Sequence, residues 1–217
     1  VAPDFEPSKF DVSYGDPQTV AVVAKRSLED LSLHYSINGG ATQTADVSEW
    51  SGGERYGDEN DDYYAEFRGQ VQGASPGDDV EVWFSGVKPG TGAVQSEHFT
   101  YTLESDTGDD VDDVLVVANE DIEGVDPRYP GGIKGPKYLT THVAAVESAG
   151  YTTDVWDVDA QGVPHDLGVL GHYDAVLWYL GDNRLTADPE DLLTQTPLGN
   201  LPDMAVAERQ QHLTMAV

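Results

Sequence analysis

Cysteine is absent from all 217 positions. Thiolate metal sites, disulfides and cysteine nucleophiles are thereby excluded. Two groupings remain as candidates. Asp58-Glu59-Asn60-Asp61-Asp62 crowds carboxylates into one short stretch, the oxygen-rich donor set that a calcium ion takes. Asp58, Glu59, Asp61 and Asp62 are therefore the candidate calcium ligands, weighed against an exposed acidic loop. The second grouping follows from topology. Ligands of open α/β sheets collect beyond the carboxyl ends of the strands, and two apolar runs, 114–118 and 175–180, lead into Asn119-Glu120-Asp121 and Asp182-Asn183-Arg184. These six residues make the candidate ligand site, set against loops ordered by their own hydrogen bonds.

Other patterns fail their tests. In the acidic stretch 104–113, a calcium loop starting at Asp106 needs Gly at its sixth position and Glu at its twelfth, where Val111 and Val117 stand. None of the six histidines has a zinc-peptidase spacing such as His-x-x-Glu or His-Glu-x-x-His. His142 falls on or beside the apolar face of a predicted helix and reads as packed or semi-exposed; His165 and His172, seven apart around a short helical turn, read as structural, set against a shared ligand. In the α/β part, over 113–217, nucleophile-elbow, Walker and Gly-x-Gly-x-x-Gly signatures are also missing.

The elements that must position these residues fall into two kinds. Val114–Ala118 is a continuous apolar run, as suits a parallel strand buried on both faces, and 175–180 repeats the pattern. Thr153 to Val158 is more mixed and reads as nearer an edge. Between the first two strands, Leu139, Val143, Val146 and Ala149 recur at helical spacing, with Pro136 near the start and Gly150 at the C′ position. A short turn of helix is expected over 166–170. A last helix is expected over 203–217 with Val206, Leu213 and Val217 on one face; it ends without a cap, so the chain reads as a fragment. The first hundred residues read as all-β. Strands are expected at 10–14, 19–24, 31–37, 42–47, 65–71, 80–84 and 99–103, with Asn38-Gly39-Gly40 supplying positive φ for a hairpin.

The expected organisation is two domains. An immunoglobulin- or fibronectin-like β-sandwich over 1–104 leads through an acidic linker, 105–112, to a partial flavodoxin-like parallel α/β domain over 113–217, truncated at its C-terminal end. Forty acidic against eleven basic residues give a formal net charge of −29. Such a surface repels nucleic acid and anionic membrane, and no apolar run reaches the length of about 18 residues that a membrane span needs. The acidic shell suits a secreted or salt-exposed protein.

Several long runs resemble a known family. They are Phe10 to Val20, Gly52 to Asp58, Tyr63 to Gly69, Gly77 to Phe84, Val114 to Asp121, Trp156 to Gly168 and Ala175 to Arg184. Together they resemble the region downstream of the catalytic domain in secreted bacterial zinc carboxypeptidases of the M14 class. The resemblance implies an extracellular accessory segment. The family's zinc, held by a His-x-x-Glu pair and a later His with a Glu as general base, belongs to a catalytic domain that no position here matches. The second half is also similar to the opening of a class I glutamine-amidotransferase fold, whose nucleophile is a Cys; a degenerate, non-catalytic version is implied. The partners implied are the rest of the parent polypeptide and a peptide or surface substrate, with no cofactor in this chain. Two other readings stand beside this one. The α/β part could bind or hydrolyse a small molecule at the 119–134 and 181–202 loops, or the acidic loops could make a calcium-dependent adhesion module.

Overall fold

A computed structural model describes residues 3–52, 63–104, 114–120, 122 and 135–181. The expected 105–112 linker and the 203–217 helix lie outside these residues. The chain divides into two compact units: Val1–Asp106 with His165–His172, and Thr107–Pro164 with Tyr173–Val217.

The first unit is β throughout its strands. One sheet orders β1 (Phe5–Pro7), β3 (Gln18–Lys25), β7 (Tyr64–Val71) and β6 (Ser48–Glu49) as β1-β3-β7-β6. The other orders β2 (Val12–Ser13), β10 (Phe99–Leu103), β8 (Asp79–Lys88), β4 (Glu29–Ile37) and β5 (Gln43–Asp46) as β2-β10-β8-β4-β5, and β9 (Gly92–Gln95) folds back on β8. Pairing is antiparallel except between β2 and β10. Alternation does the sorting. Leu33 and Tyr35 on β4, Val80, Val82 and Phe84 on β8, Val20 and Val22 on β3 and Val71 on β7 join one apolar cluster built from both sheets. Gly69 on β7 lets the sheets approach, since a Cβ there would lie 2.9 Å from Leu33 Cδ2. The β4–β5 turn runs as expected: Asn38 and Gly39 have φ of 51° and 66°, and the Gly40 N–H donates to Ile37 O at 2.9 Å.

Seven of these strands correspond to the expected runs; β1, β6 and β9, of two to four residues, are additional. Each is an edge piece too short for a periodic signal. The expected helical turn at 166–170 is instead a hydrogen-bonded turn followed by a 3₁₀ turn, Leu170–His172. His165 Nδ1 accepts the N–H groups of Leu167 (3.1 Å) and Gly168 (3.2 Å), and the turn does not continue as a helix because the Gly171 N–H reaches back to Asp166 O and the His172 N–H to Val169 O.

In the second unit, β11 (Val114–Ala118) is flanked in parallel by β12 (Thr153–Asp157) and β13 (Ala175–Tyr179). All five residues of β11 are buried, as a doubly covered strand requires. The sheet places β13 differently from its apolar sequence. Val176, Leu177 and Trp178 are half-buried and Ala175 is exposed, because β13, like β12, is an outer strand of the three described. Helix α1 (Leu139–Ser148) lays Leu139, Val143 and Val146 on Val116, Ala118 and Tyr179, and ends before Gly150, whose φ is 94°. A single helical turn, α2 (Val158–Gln161), follows β12, started by the Asp157 carboxylate, which accepts the Asp159 N–H.

Candidate functional site

Parallel pairing brings the carboxyl ends of β11, β12 and β13 to one edge of the sheet. Asn119 and Glu120 emerge from β11, Asp157 and Asp159 from the end of β12, and Gly181 lies just past β13. Of the six residues expected to share this edge, Asn119 and Glu120 are described. Both are buried, each at 1% exposure. Asp121, Asp182, Asn183 and Arg184 lie outside the described residues, as do the candidate calcium ligands Asp58, Glu59, Asp61 and Asp62.

The carboxylates at this edge accept backbone N–H groups. Glu120 Oε1 takes the Tyr138 N–H at 3.0 Å and Oε2 the Lys137 N–H at 3.2 Å, so one buried side chain anchors the backbone that opens α1. Asp159 Oδ2 takes the Ile122 N–H at 3.3 Å. Gly181 has φ +57°, and a Cβ there would lie 2.8 Å from Glu120 Cγ, so the turn after β13 needs glycine on two counts. The Asn119 N–H itself donates to Tyr179 O at 3.0 Å. Chemically this is an anchor for loops: each carboxylate oxygen named accepts a main-chain donor from a connecting segment. Among the described residues no grouping of three or more His, Asp or Glu is placed to hold a metal ion.

The described histidines occupy three settings. The His142 ring packs on Tyr179 with centroids 4.1 Å apart. On the β4–β8–β10 sheet, His34, Trp83 and His98 form a row of rings on the side away from the shared core. Trp83 and His98 are parallel at 4.5 Å, and His34 lies 5.5 Å from Trp83 on the neighbouring strand. His34 engages Thr44 Oγ1 (3.1 Å) and Ser85 Oγ (2.7 Å), and burial lowers its pKa; His98 Nδ1 is 3.0 Å from Glu81 Oε1. The sequence shows His34 and Trp83 at outward positions, but only strand register makes them cross-strand neighbours.

In the third setting, His165 and His172 were legible as a structural pair, but their partner Gln18 was not. Gln18, 1% exposed, is the centre of a buried polar network. Its Nε2 donates to Leu167 O at 2.9 Å, and its Oε1 accepts from Ser13 Oγ and from His172 Nε2, the latter at 2.9 Å. Burial lowers the His172 pKa. His165 Nε2 pairs with Ser8 Oγ at 3.0 Å, and its ring packs on Phe10 with centroids 4.8 Å apart. A glutamine in a β-branched strand carries no sequence signal of such a role.

No protein-family model matches the chain, and no curated protein matches it. Among solved structures it is similar to a family 64 laminaripentaose-producing β-1,3-glucanase from Paenibacillus barengoltzii, at 21% identity and TM-score 0.30 over 46% of this chain and 20% of that one. It is also similar to the uncharacterized protein lmo2446 of Listeria monocytogenes EGD-e (18% identity, TM-score 0.29, 48% of this chain and 9% of that one). A third likeness is to purple acid phosphatase PPD1 of yellow lupin, Lupinus luteus (9% identity, TM-score 0.31, 81% of this chain and 34% of that one). The chain thus spans a fifth of the glucanase's length, and likenesses this slight assign neither family nor activity. The class defined by the fold is a β-rich protein of several sheets, in which no helix among the described residues is long and apolar enough to cross a membrane.

Proposed function

We propose that this chain is a non-catalytic accessory segment of a secreted zinc metallocarboxypeptidase, contributing stability, positioning or substrate contact to a catalytic domain elsewhere in the polypeptide. In this reading the first unit is an immunoglobulin-like sandwich and the second a degenerate flavodoxin-like domain. The observation that supports it is the use made of Glu120. A carboxylate at the carboxyl end of a central parallel strand is where an α/β enzyme would keep a reactive group. Here both of its oxygens accept main-chain N–H groups that open α1, a structural duty.

The parent gene supplies the test. Its sequence upstream of Val1 is expected to encode a domain carrying His-x-x-Glu and a later His. Removing residues 1–217 from the parent protein is expected to lower its melting temperature while leaving kcat on short peptides unchanged. An upstream sequence without those ligands, or zinc-dependent peptide hydrolysis by this chain alone, would overturn the reading.

A further inference from the structure

We propose that residues 165–172 are an acid-released clasp of the first unit, held by two imidazoles: His165 must be neutral to accept the N–H groups it accepts, and His172 is seated where an added proton finds no partner. The segment belongs to that unit although 58 residues of chain, 107–164, separate it from Asp106. It is seated by specific contacts with β2, β3 and the residues around them. Gln18 Nε2 donates to Leu167 O, the Tyr14 N–H donates to Gly168 O at 2.9 Å, and His172 Nε2 donates to Gln18 Oε1. The seat is close-fitting. A Cβ on Gly168 would lie 2.6 Å from Val12 O, and one on Gly15 would lie 2.4 Å from His172 Nδ1.

The hydrogen bonds set which ring nitrogens carry hydrogen. Gln18 Nε2 donates to Leu167 O and Thr19 O, so Oε1 is its acceptor atom and His172 Nε2 carries a hydrogen. His165 Nδ1 accepts two backbone N–H groups, so its hydrogen is on Nε2 and is donated to Ser8 Oγ. A proton added to His165 Nδ1 ends both acceptances. The new N–H turns to Asp166 Oδ1, 3.1 Å away, and the Leu167 and Gly168 donors lose their acceptor. A proton added to His172 Nδ1 lands against the Gly15 backbone, with no acceptor among the described residues. Gln18 and Gly15, which face His172 from β3 and the 13–15 stretch, are uncharged, and the carboxylate of Asp16, next to Gly15, accepts the Gly73 N–H. The neutral pair therefore holds the clasp, and acid opens it.

The test is amide hydrogen exchange on the full chain near neutrality and at about pH 5, corrected for intrinsic rates. The amides of Tyr14, Leu167 and Gly168 are expected to lose protection by roughly tenfold or more at the lower pH, while those of β4 and β8 hold theirs. The double variant H165N/H172Q keeps an acceptor for the two N–H groups and a donor for Gln18 but cannot titrate, and is expected to stay protected. Equal wild-type protection at both pH values would overturn the proposal, as would pH-dependent opening of the double variant. If that variant is not clasped near neutrality, the wild-type His165 and His172 ring proton shifts decide. Midpoints that coincide with the loss of Tyr14 protection support the clasp, and midpoints that do not coincide overturn it.

Discussion

Glu120 shows how much one side chain can organise. Its oxygens take the N–H groups of Lys137 and Tyr138, and its Cγ occupies the space that a side chain on Gly181 would need. Replacing Glu120 by Gln turns one acceptor into a donor facing a donor, and a buried mismatch of that kind costs about 1–3 kcal/mol. E120Q is thus expected to melt below the wild type in a denaturant or thermal titration; an unchanged midpoint would mean the carboxylate holds nothing. G181A combines that crowding with the strain of a positive φ, on the order of 1 kcal/mol by itself. Since E120A empties the space the new methyl needs, the double variant is expected to lose less than the two single losses added together. His34 makes a second test at this scale. Burial lowers its folded pKa, so the unfolded chain binds the proton at higher pH, near the ordinary value of about 6.5. The stability His34 contributes is fully present above that value and fades as the pH falls toward the lowered one. Its NMR titration midpoint is expected below 6.5, and a midpoint above it would contradict the burial.

At the scale of elements, sheet packing in the first unit turns on the meeting of Gly69 and Leu33. Leu33 is fully buried, and its Cδ2 occupies the position where β7 has no side chain. L33A is expected to cost about 2–5 kcal/mol as a core truncation. G69A is expected to cost about 1–3 kcal/mol by overpacking, read as a lowered denaturation midpoint. Made together they are expected to be less than additive, because the shortened side chain leaves room for the new methyl; strict additivity would show that the two do not share that space. The same elements show what the sequence could reveal. Alternation on β4 and β8 and the unbroken apolar run of β11 each declared their burial, since period and run length report directly on which faces are covered. Two-residue β6 and the outer place of β13 depend on which strands are neighbours, which no local pattern encodes. The candidate site divides in the same way. Position at a strand end made Glu120 legible, whereas its duty depends on backbone donors 17 and 18 residues away. Gln18, whose partners lie 149 and 154 residues on, was legible in nothing but the folded chain.

Over the whole molecule, a formal charge of −29 on 217 residues sets the response to ions. Like charges held together by folding repel, and added salt screens that repulsion over a Debye length of about 10 Å at 0.1 M, so stability is expected to rise with sodium chloride. Local ion pairs such as Lys88 with Asp4 and Lys9 with Glu97 are weakened by the same screening, but exposed pairs contribute little, and with forty acidic residues against eleven basic ones the repulsive term dominates. This separates two uses of acidity that composition alone confounds. Screening acts smoothly and without saturation at low occupancy, and sodium and calcium differ only through ionic strength. A built calcium site at Asp58, Glu59, Asp61 and Asp62 would add stability through binding, by RT ln(1 + [L]/Kd), reaching about 2.7 kcal/mol at a hundredfold excess over Kd. Melting temperatures are therefore compared in calcium chloride and in sodium chloride of equal ionic strength, with D58N/D61N as the control. A calcium increment beyond the sodium curve that the double variant loses would establish the ion site. Coincident curves would leave the acidic loop as part of the solvated shell, and a melting temperature that falls with sodium chloride would overturn the charge argument itself.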